Sequence, residues 1–396
     1  LHIRELFRGQ YLIYGLSIVV ARGAELAVMF FAAHYLAKAV YGELEYYKKV
    51  LELGGAFLSF GFPTLILTYT RSEKSKWYLL LFATFFIAGL SLLVLPFLWV
   101  MHYQELWGGI LFYALFFTGG VVPVYFLVRK GSVAASIYKS LMALLFYSTV
   151  FVLVLYSDFP QYSFVKAAHY FLILGFIILF FEWKSEHIDW RILFKYFRHF
   201  RLLIFGAVTL IFNNLSNMAF LYSDIFIIKL LSAKPNPQIA DYSFSLNAAN
   251  ILMLIPMTLV QVDIEKLKKN IRYLSQLNRK ILYLIILAIL MMIPLYYLLT
   301  HKFYIRYAET LLLFLIIAGA KIFQGLTVAF GASMLIRKKY GVTLTINLGM
   351  IITNVVSSYL LYPYFRLTGI AIASALSLVL RYAILRYIYF SRLLKT

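Results

Sequence analysis

Ten ionisable side chains of this 396-residue chain sit in stretches otherwise apolar enough to cross a bilayer: Arg22, Glu25, Glu45, Lys48, Lys49, Glu52, Lys139, Asp224, Lys321 and Arg381. A charge near the bilayer centre costs roughly 2.5–3.5 kcal/mol on insertion scales, and more by other estimates. Each must therefore face water, an opposite charge or a polar ligand. The cations Arg22, Lys48, Lys49, Lys139, Lys321 and Arg381 outnumber the acids Glu25, Glu45, Glu52 and Asp224. An interior lined by that set is net cationic and favours an anion such as a phosphate or diphosphate, met by lysine point charges and forked guanidinium groups. The acids line the same interior or couple a proton or sodium gradient.

Local pairing competes with these roles. Arg22 and Glu25, one turn apart, either neutralise each other or serve a substrate or coupling ion. In Tyr41–Arg71 the residues Glu45, Lys48, Lys49, Glu52, Ala56, Ser59 and Pro63 fall on one face of a helix at about 100° per residue. Glu45–Lys49 and Lys49–Glu52 have the spacing of ion pairs, and the seam of small residues continuing this face is expected to wall a cavity. Lys139, Lys321 and Arg381 have no carboxylate three or four residues away. Lys321, close to mid-span, is left to pair with an acid of another span, such as Glu25 or Glu52, or to meet the substrate. Lys166 and Lys229 lie nearer the outer ends, where a long side chain reaches the interface. Gly206, Asn213, Asn217 and Asp224 share one helical face, with Ser216 and Ser223 on its edge. Thr343, Asn347, Asn354 and Ser358 share another. The second stripe reads as interhelical hydrogen-bond glue; the first includes an acid and reads as lumen-facing or as glue.

The chain is 63% hydrophobic and 13% charged, against about half and a quarter in soluble proteins. That composition implies a polytopic membrane protein with no sizeable aqueous domain. The absence of cysteine excludes disulfides, thiolate metal sites and cysteine catalysis. There is no Walker A motif and no paired-histidine metal spacing, and His169, alone on an apolar span, reads as structural. A net charge of +21 would point to nucleic acid in a soluble chain, but topology accounts for most of it, as the connections show.

With roughly 20 apolar residues per crossing, the elements that must position these charges are twelve spans, at 10–34, 42–70, 76–100, 105–128, 132–156, 162–182, 200–229, 239–262, 280–300, 308–336, 341–363 and 367–390. One set of connections carries 23 Lys and Arg and the other 5, so the positive-inside rule places both termini in the cytoplasm and no nucleic-acid partner is expected. Arg4 and Arg8 precede a full-length first span, and no cleaved leader is expected. The connections 183–199 and 263–279 read as short amphipathic helices on anionic headgroups. The first divides the chain into an N-terminal lobe at 1–182 and a C-terminal lobe at 200–396. A weak repeat agrees: Phe7-Arg8 with Gly15 against Phe197-Arg198 with Gly206, and Pro63-Thr64-Leu65 against Pro256-Met257-Thr258-Leu259.

Tyr41-Gly42, followed by an apolar helix ending Gly61-Phe62-Pro63-Thr64, resembles the second span of the polysaccharide-biosynthesis flippases, the O-antigen-unit (Wzx-type) branch of the multidrug/oligosaccharidyl-lipid/polysaccharide (MOP) exporter superfamily. Ser223-Asp224-Ile225-Phe226-Ile227-Ile228-Lys229 with Asp241-Tyr242-Ser243 is similar to that family's seventh-to-eighth junction. Leu361-Tyr362-Pro363 followed by Thr368-Gly369-Ile370-Ala371-Ile372-Ala373-Ser374-Ala375 is similar to its start of the last span. One departure is Val262-Asp263-Ile264-Glu265, which lacks the proline-basic ending of span 8. The resemblance implies an all-α fold of twelve transmembrane helices in two pseudo-symmetric six-helix lobes around a central cavity. It implies a plasma (inner) membrane flippase, not an enzyme, that moves a polyprenyl-diphosphate-linked oligosaccharide to the outer leaflet by alternating access. The diphosphate would meet Arg22, Lys49, Lys139, Lys321 or Arg381. No cofactor is implied beyond a coupling proton or sodium ion; the partners are the glycan lipid, the bilayer and glycan polymerase machinery, around a monomer. A multidrug exporter of the same superfamily, wanting an acidic cavity, is the rival reading, and a membrane glycosyltransferase or polymerase the third.

Overall fold

A computed structural model of the chain describes residues 9–69, 73–184, 190–270, 272–337 and 339–393. Among these residues there is no strand; the chain is helix throughout, joined by short turns. The first half runs α1 (Gly9–Tyr35), α2 (Lys38–Leu58), α3 (Phe62–Tyr69), α4 (Glu73–Val100), α5 (Leu106–Leu115), α6 (Val121–Tyr156) and α7 (Ser163–Lys184). The second runs α8 (Trp190–Leu231), α9 (Pro235–Asn250), α10 (Leu254–Val262), α11 (Ile264–Lys269), α12 (Tyr273–Lys302), α13 (Leu311–Ile336) and α14 (Tyr340–Ile388). At 1.5 Å rise per residue, a helix of about 20 residues spans the hydrocarbon layer.

Seven described segments are long and apolar enough to cross: Lys76–Val100, Val133–Tyr156, Pro160–Phe181, Pro235–Val260, Tyr273–Lys302, Ile305–Met334 and Tyr340–Ser391. The last holds two crossings, because Arg366 adopts φ 49° and reverses the chain. Gly369 lets that turn close: a Cβ there would meet the Leu361 carbonyl oxygen at 2.6 Å. In α6 the break falls at Gly131, whose φ of 90° suits a residue without Cβ. Counting α1, α2 with α3, α5 with the start of α6, and α8, the chain is an all-α polytopic membrane protein of twelve helices in two lobes. Leu93, Phe97, Trp99, Leu290 and Met291 are exposed on outward faces, as the hydrocarbon solvent requires.

Two expectations are corrected here. The second span is not one helix over 42–70. Phe60 (φ 49°) and Gly61 (φ 71°) break it, and Pro63 opens α3, where its missing N–H costs nothing. The register that put Pro63 on the face of Glu45 and Glu52 therefore ends at Ser59. The connection 183–199 is not a separate surface helix from residue 190 onward, because Trp190 begins the 42-residue α8. In 263–279, α11 is a short helix of six residues, and α12 already starts at Tyr273. The second half repeats the break of the first: a 3-10 turn at Ile251–Met253 separates α9 from α10, which carries Pro256. Phe7 and Arg8, used for the repeat, lie outside the described residues.

The helices pack as two compact units, Leu1–Ala32 with Tyr47–Leu215, and Ala33–Tyr46 with Ser216–Thr396. The start of α2 thus belongs to the second unit and its remainder to the first.

Candidate functional site: two sets of membrane-embedded charges

In the first unit, Glu25 of α1 is shared by two cations. Arg22 Nη1 lies 2.7 Å from Oε2 and Lys48 Nζ 2.6 Å from Oε1. Lys48 is 1% exposed and lies 5.7 Å from the Phe164 ring centroid. One residue on, Lys49 Nζ reaches Glu52 Oε2 at 2.9 Å. Three cations thus face two carboxylates. The Arg22 side chain stays 53% exposed, while Lys48, Lys49, Glu25 and Glu52 are largely enclosed. The expected Glu45–Lys49 pair does not form: Lys49 turns to Glu52, and Glu45 is held elsewhere.

Lys139 is a further cation of this unit that sequence singled out, and it is half-buried. Among the described residues it has no hydrogen-bond or ion-pair partner. It stands beside α1, since the neighbouring Ser140 Oγ donates to the Ser17 carbonyl at 3.2 Å and Phe31 meets Phe151 at 4.5 Å. Those contacts make α1 and the second half of α6 run parallel, with Lys139 and Arg22 a turn or two apart along adjacent helices.

In the second unit Asp241 pairs with Lys38 at 2.6 Å, but Asp224 is held by neutral donors. Asp224 accepts from Tyr242 Oη, from Asn354 Nδ2 at 2.7 Å and from Ser374 Oγ at 2.7 Å. Asn354 also donates to Ser223 Oγ at 2.8 Å. The span-7 and span-11 stripes therefore meet, and Asn354 is the interhelical bond that the second stripe promised. Lys321 donates to Gln324 Oε1 at 2.7 Å, one turn along its own helix, whereas Glu25 and Glu52 are occupied by the first unit's cations. Asp224, Tyr242, Lys321, Gln324 and Ser374 line a cavity of about 30 Å³, enough for a water-sized guest.

Arg381 is buried, with Nη2 on Asn217 Oδ1 at 3.0 Å, its guanidinium 5.6 Å from the Phe220 ring and Nε without an acceptor. No carboxylate lies within ion-pair distance of it among the described residues. Glu45 is fully buried, bound by Tyr41 Oη at 2.9 Å and by Asn247 Nδ2, so it is packed into protein rather than facing an open interior.

Outside these sets, His169 Nδ1 sits 2.8 Å from the Val165 carbonyl, a structural bond. Lys166 reaches Ser157 Oγ at 2.7 Å and Lys229 reaches Asn236 Oδ1 at 3.0 Å. Among the described residues no group of three His, Cys, Asp or Glu is placed to hold a metal. The partners that sequence reasoning missed are Tyr41, Tyr242, Asn247 and Ser374. The only available signal was polar residues recurring inside apolar spans.

No protein-family model and no curated protein sequence matches the chain. Solved structures do. A lipid II flippase MurJ in an inward closed conformation aligns with TM-score 0.69 and 15% identity, over 97% of this chain and 88% of that one. An inward-facing multidrug resistance MATE family transporter of the MOP superfamily aligns with TM-score 0.64 and 11% identity, over 94% and 95%. A Vibrio cholerae MATE transporter aligns with TM-score 0.57 and 11% identity, over 99% and 97%. Together with the helix order and the two units, these likenesses show that the chain has the twelve-helix fold of MOP-superfamily transporters.

Proposed function

We propose that this protein is a flippase that carries a polyprenyl-diphosphate-linked oligosaccharide from the cytoplasmic to the outer leaflet of the plasma (inner) membrane by alternating access, with both termini cytoplasmic. The observation that supports it is uncompensated positive charge within the membrane. In the first unit Glu25 is divided between two cations, and Lys139 has no counter-ion among the described residues. In the second, the buried Arg381 has, among the described residues, an amide oxygen and an aromatic face but no carboxylate. A buried cation without a carboxylate costs several kcal/mol, and a chain gains nothing from it unless an anion arrives. A diphosphate supplies that anion and matches lysine and guanidinium donors. Arg22 and Lys139 are the accessible cations and make the first contact. Lys49 is tied to Glu52 and Lys321 to Gln324. The fold shared with a lipid II flippase fits a lipid-linked cargo.

The test is reconstitution of the purified protein into liposomes with a labelled polyprenyl-diphosphate oligosaccharide, scored for leaflet exchange. Wild type exchanges the lipid, and Arg22→Ala and Lys139→Ala slow it at least tenfold while the protein remains folded. Normal exchange by both variants rejects the assignment. The second reading, a multidrug exporter, is favoured by one observation: Glu45 and Asp224 are buried acids with no cation in ion-pair distance among the described residues. Transport of cationic dyes, with no exchange of the lipid, would establish it instead.

A further inference from the structure

Trp77 stands at the start of the Lys76–Val100 crossing and is 3% exposed. Its indole Nε1 is buried without an acceptor among the described residues. A buried tryptophan N–H ordinarily finds a partner, and one left bare costs free energy.

Its surroundings are basic and aromatic. Lys76 donates to the Val128 carbonyl at 2.9 Å, which ties the start of α4 to α6 just before the break at Gly131. Arg129 donates to Tyr125 Oη. Its guanidinium lies 6.0 Å from the Trp77 ring and 5.7 Å from the Tyr125 ring. Lys130 Nζ sits 4.7 Å from the Phe126 ring centroid, and that ring stacks on Tyr138 at 5.0 Å. Lys76 and Arg129 are half-buried, and Lys130 is exposed. The segments 71–77 and 129–130 hold five Lys and Arg against one acid, Glu73. All of them belong to the first unit, and none is among the cations assigned to the diphosphate.

These donors gather where the Lys76–Val100 and Val133–Tyr156 crossings begin, the level at which lipid headgroups lie. Tryptophan and tyrosine favour that level, and basic pockets between membrane helices bind anionic lipid heads. A phosphate diester offers oxygens to guanidinium and ammonium groups and to an indole N–H alike. A zwitterionic headgroup would set its own ammonium against the lysines, so the fitting lipid carries net negative charge. We propose that Lys76, Arg129 and Lys130, together with the Trp77 N–H, form a site for the phosphate of an anionic glycerophospholipid such as phosphatidylglycerol. The site does not rest on the flippase reading, because bound lipid is measured without transport.

The experiment uses the purified full-length chain in uncharged detergent. Binding of phosphatidylglycerol and of phosphatidylcholine with the same acyl chains is read by native mass spectrometry. Phosphatidylglycerol binds and phosphatidylcholine does not. Trp77→Phe removes one hydrogen bond to a charged group and weakens binding about tenfold. Arg129→Gln combined with Lys130→Gln weakens it further, whereas Lys302→Gln, at an exposed lysine elsewhere, leaves it unchanged. Should the double variant not fold, Lys130→Gln alone, at an exposed side chain, still reduces binding. Equal binding of the two lipids overturns the proposal. So does binding that survives Trp77→Phe, the double variant or, in its place, Lys130→Gln. Displacement by inorganic phosphate would reassign the site to a free anion, and displacement by a polyprenyl diphosphate to the transported lipid; either result overturns it as well.

Discussion

The two units keep charge inside the membrane by different chemistry. In the first, charge meets charge: Arg22 and Lys48 share Glu25, and Lys49 holds Glu52. In the second, Lys38 pairs with Asp241, but dipoles hold the other ions: Asp224 rests on a tyrosine, an asparagine and a serine, Glu45 on a tyrosine and an asparagine, and Arg381 on an asparagine and a phenylalanine face. An ion pair screens both partners at once and leaves little for a ligand. A dipole-held ion keeps most of its field and stays responsive to a charge brought near it. The first unit presents its surplus through Arg22 and Lys139, and the second holds ions of both signs only partly compensated.

The sharpest way to break that contrast is Glu25→Gln. It leaves Lys48, 1% exposed, without its carboxylate, and removing one member of a buried pair costs about 3–5 kcal/mol. The melting temperature of the purified variant should fall steeply, and adding Lys48→Met should recover much of the loss. A variant as stable as wild type would mean that the pair is not the scaffold of this unit.

The matching change in the second unit is Asp224→Asn, with a smaller effect. The three donors are neutral, and an amide oxygen still accepts from some of them, so the loss should be about 1–3 kcal/mol. Asp224→Ala, which orphans all three, should lose more, as read by denaturation under the same conditions. A loss equal to that of Glu25→Gln would show that charge-held and dipole-held ions are equally rigid here, and the comparison would fail.

The same division decides what could be read from sequence. The twelve crossings were legible because apolar run length sets them, and Lys49–Glu52 because helical spacing does. The break before Pro63 had a signal, Gly61 two residues ahead of a proline, yet the run was read as continuous helix. Nothing in the chain marks Arg366 for a positive φ. Glu45 had an ideal partner at Lys49 by spacing, but tertiary packing gave it Asn247, 202 residues away. For Lys321, Gln324 stands one turn away, but an amide carries no charge to mark it as the partner of a lysine. Dipole-held ions depend on neutral residues that carry no charge pattern, which is why the second unit was the less legible one.

The smallest effect sharpens the contrast from outside the membrane. In the connection after α10, Asp263 has the same kind of partners as the first unit's acids, Lys266 Nζ at 2.6 Å and Tyr273 Oη at 2.7 Å. Burial alone would raise its carboxyl, but the bonds from Lys266 and Tyr273 outweigh that and hold it below the usual carboxylate range. Because the folded value is depressed, its stabilisation is present above the unfolded value of about 3.9. It disappears as pH falls through the folded value. The Lys266 side chain is 54% exposed, so water and salt screen the pair, and Asp263→Asn should cost only about 0–1 kcal/mol at neutral pH. The stability curves of wild type and variant should converge on acidification and on adding salt. A loss at neutral pH as large as that of Glu25→Gln would show that geometry, rather than exclusion of water, gives the membrane-embedded pairs their strength.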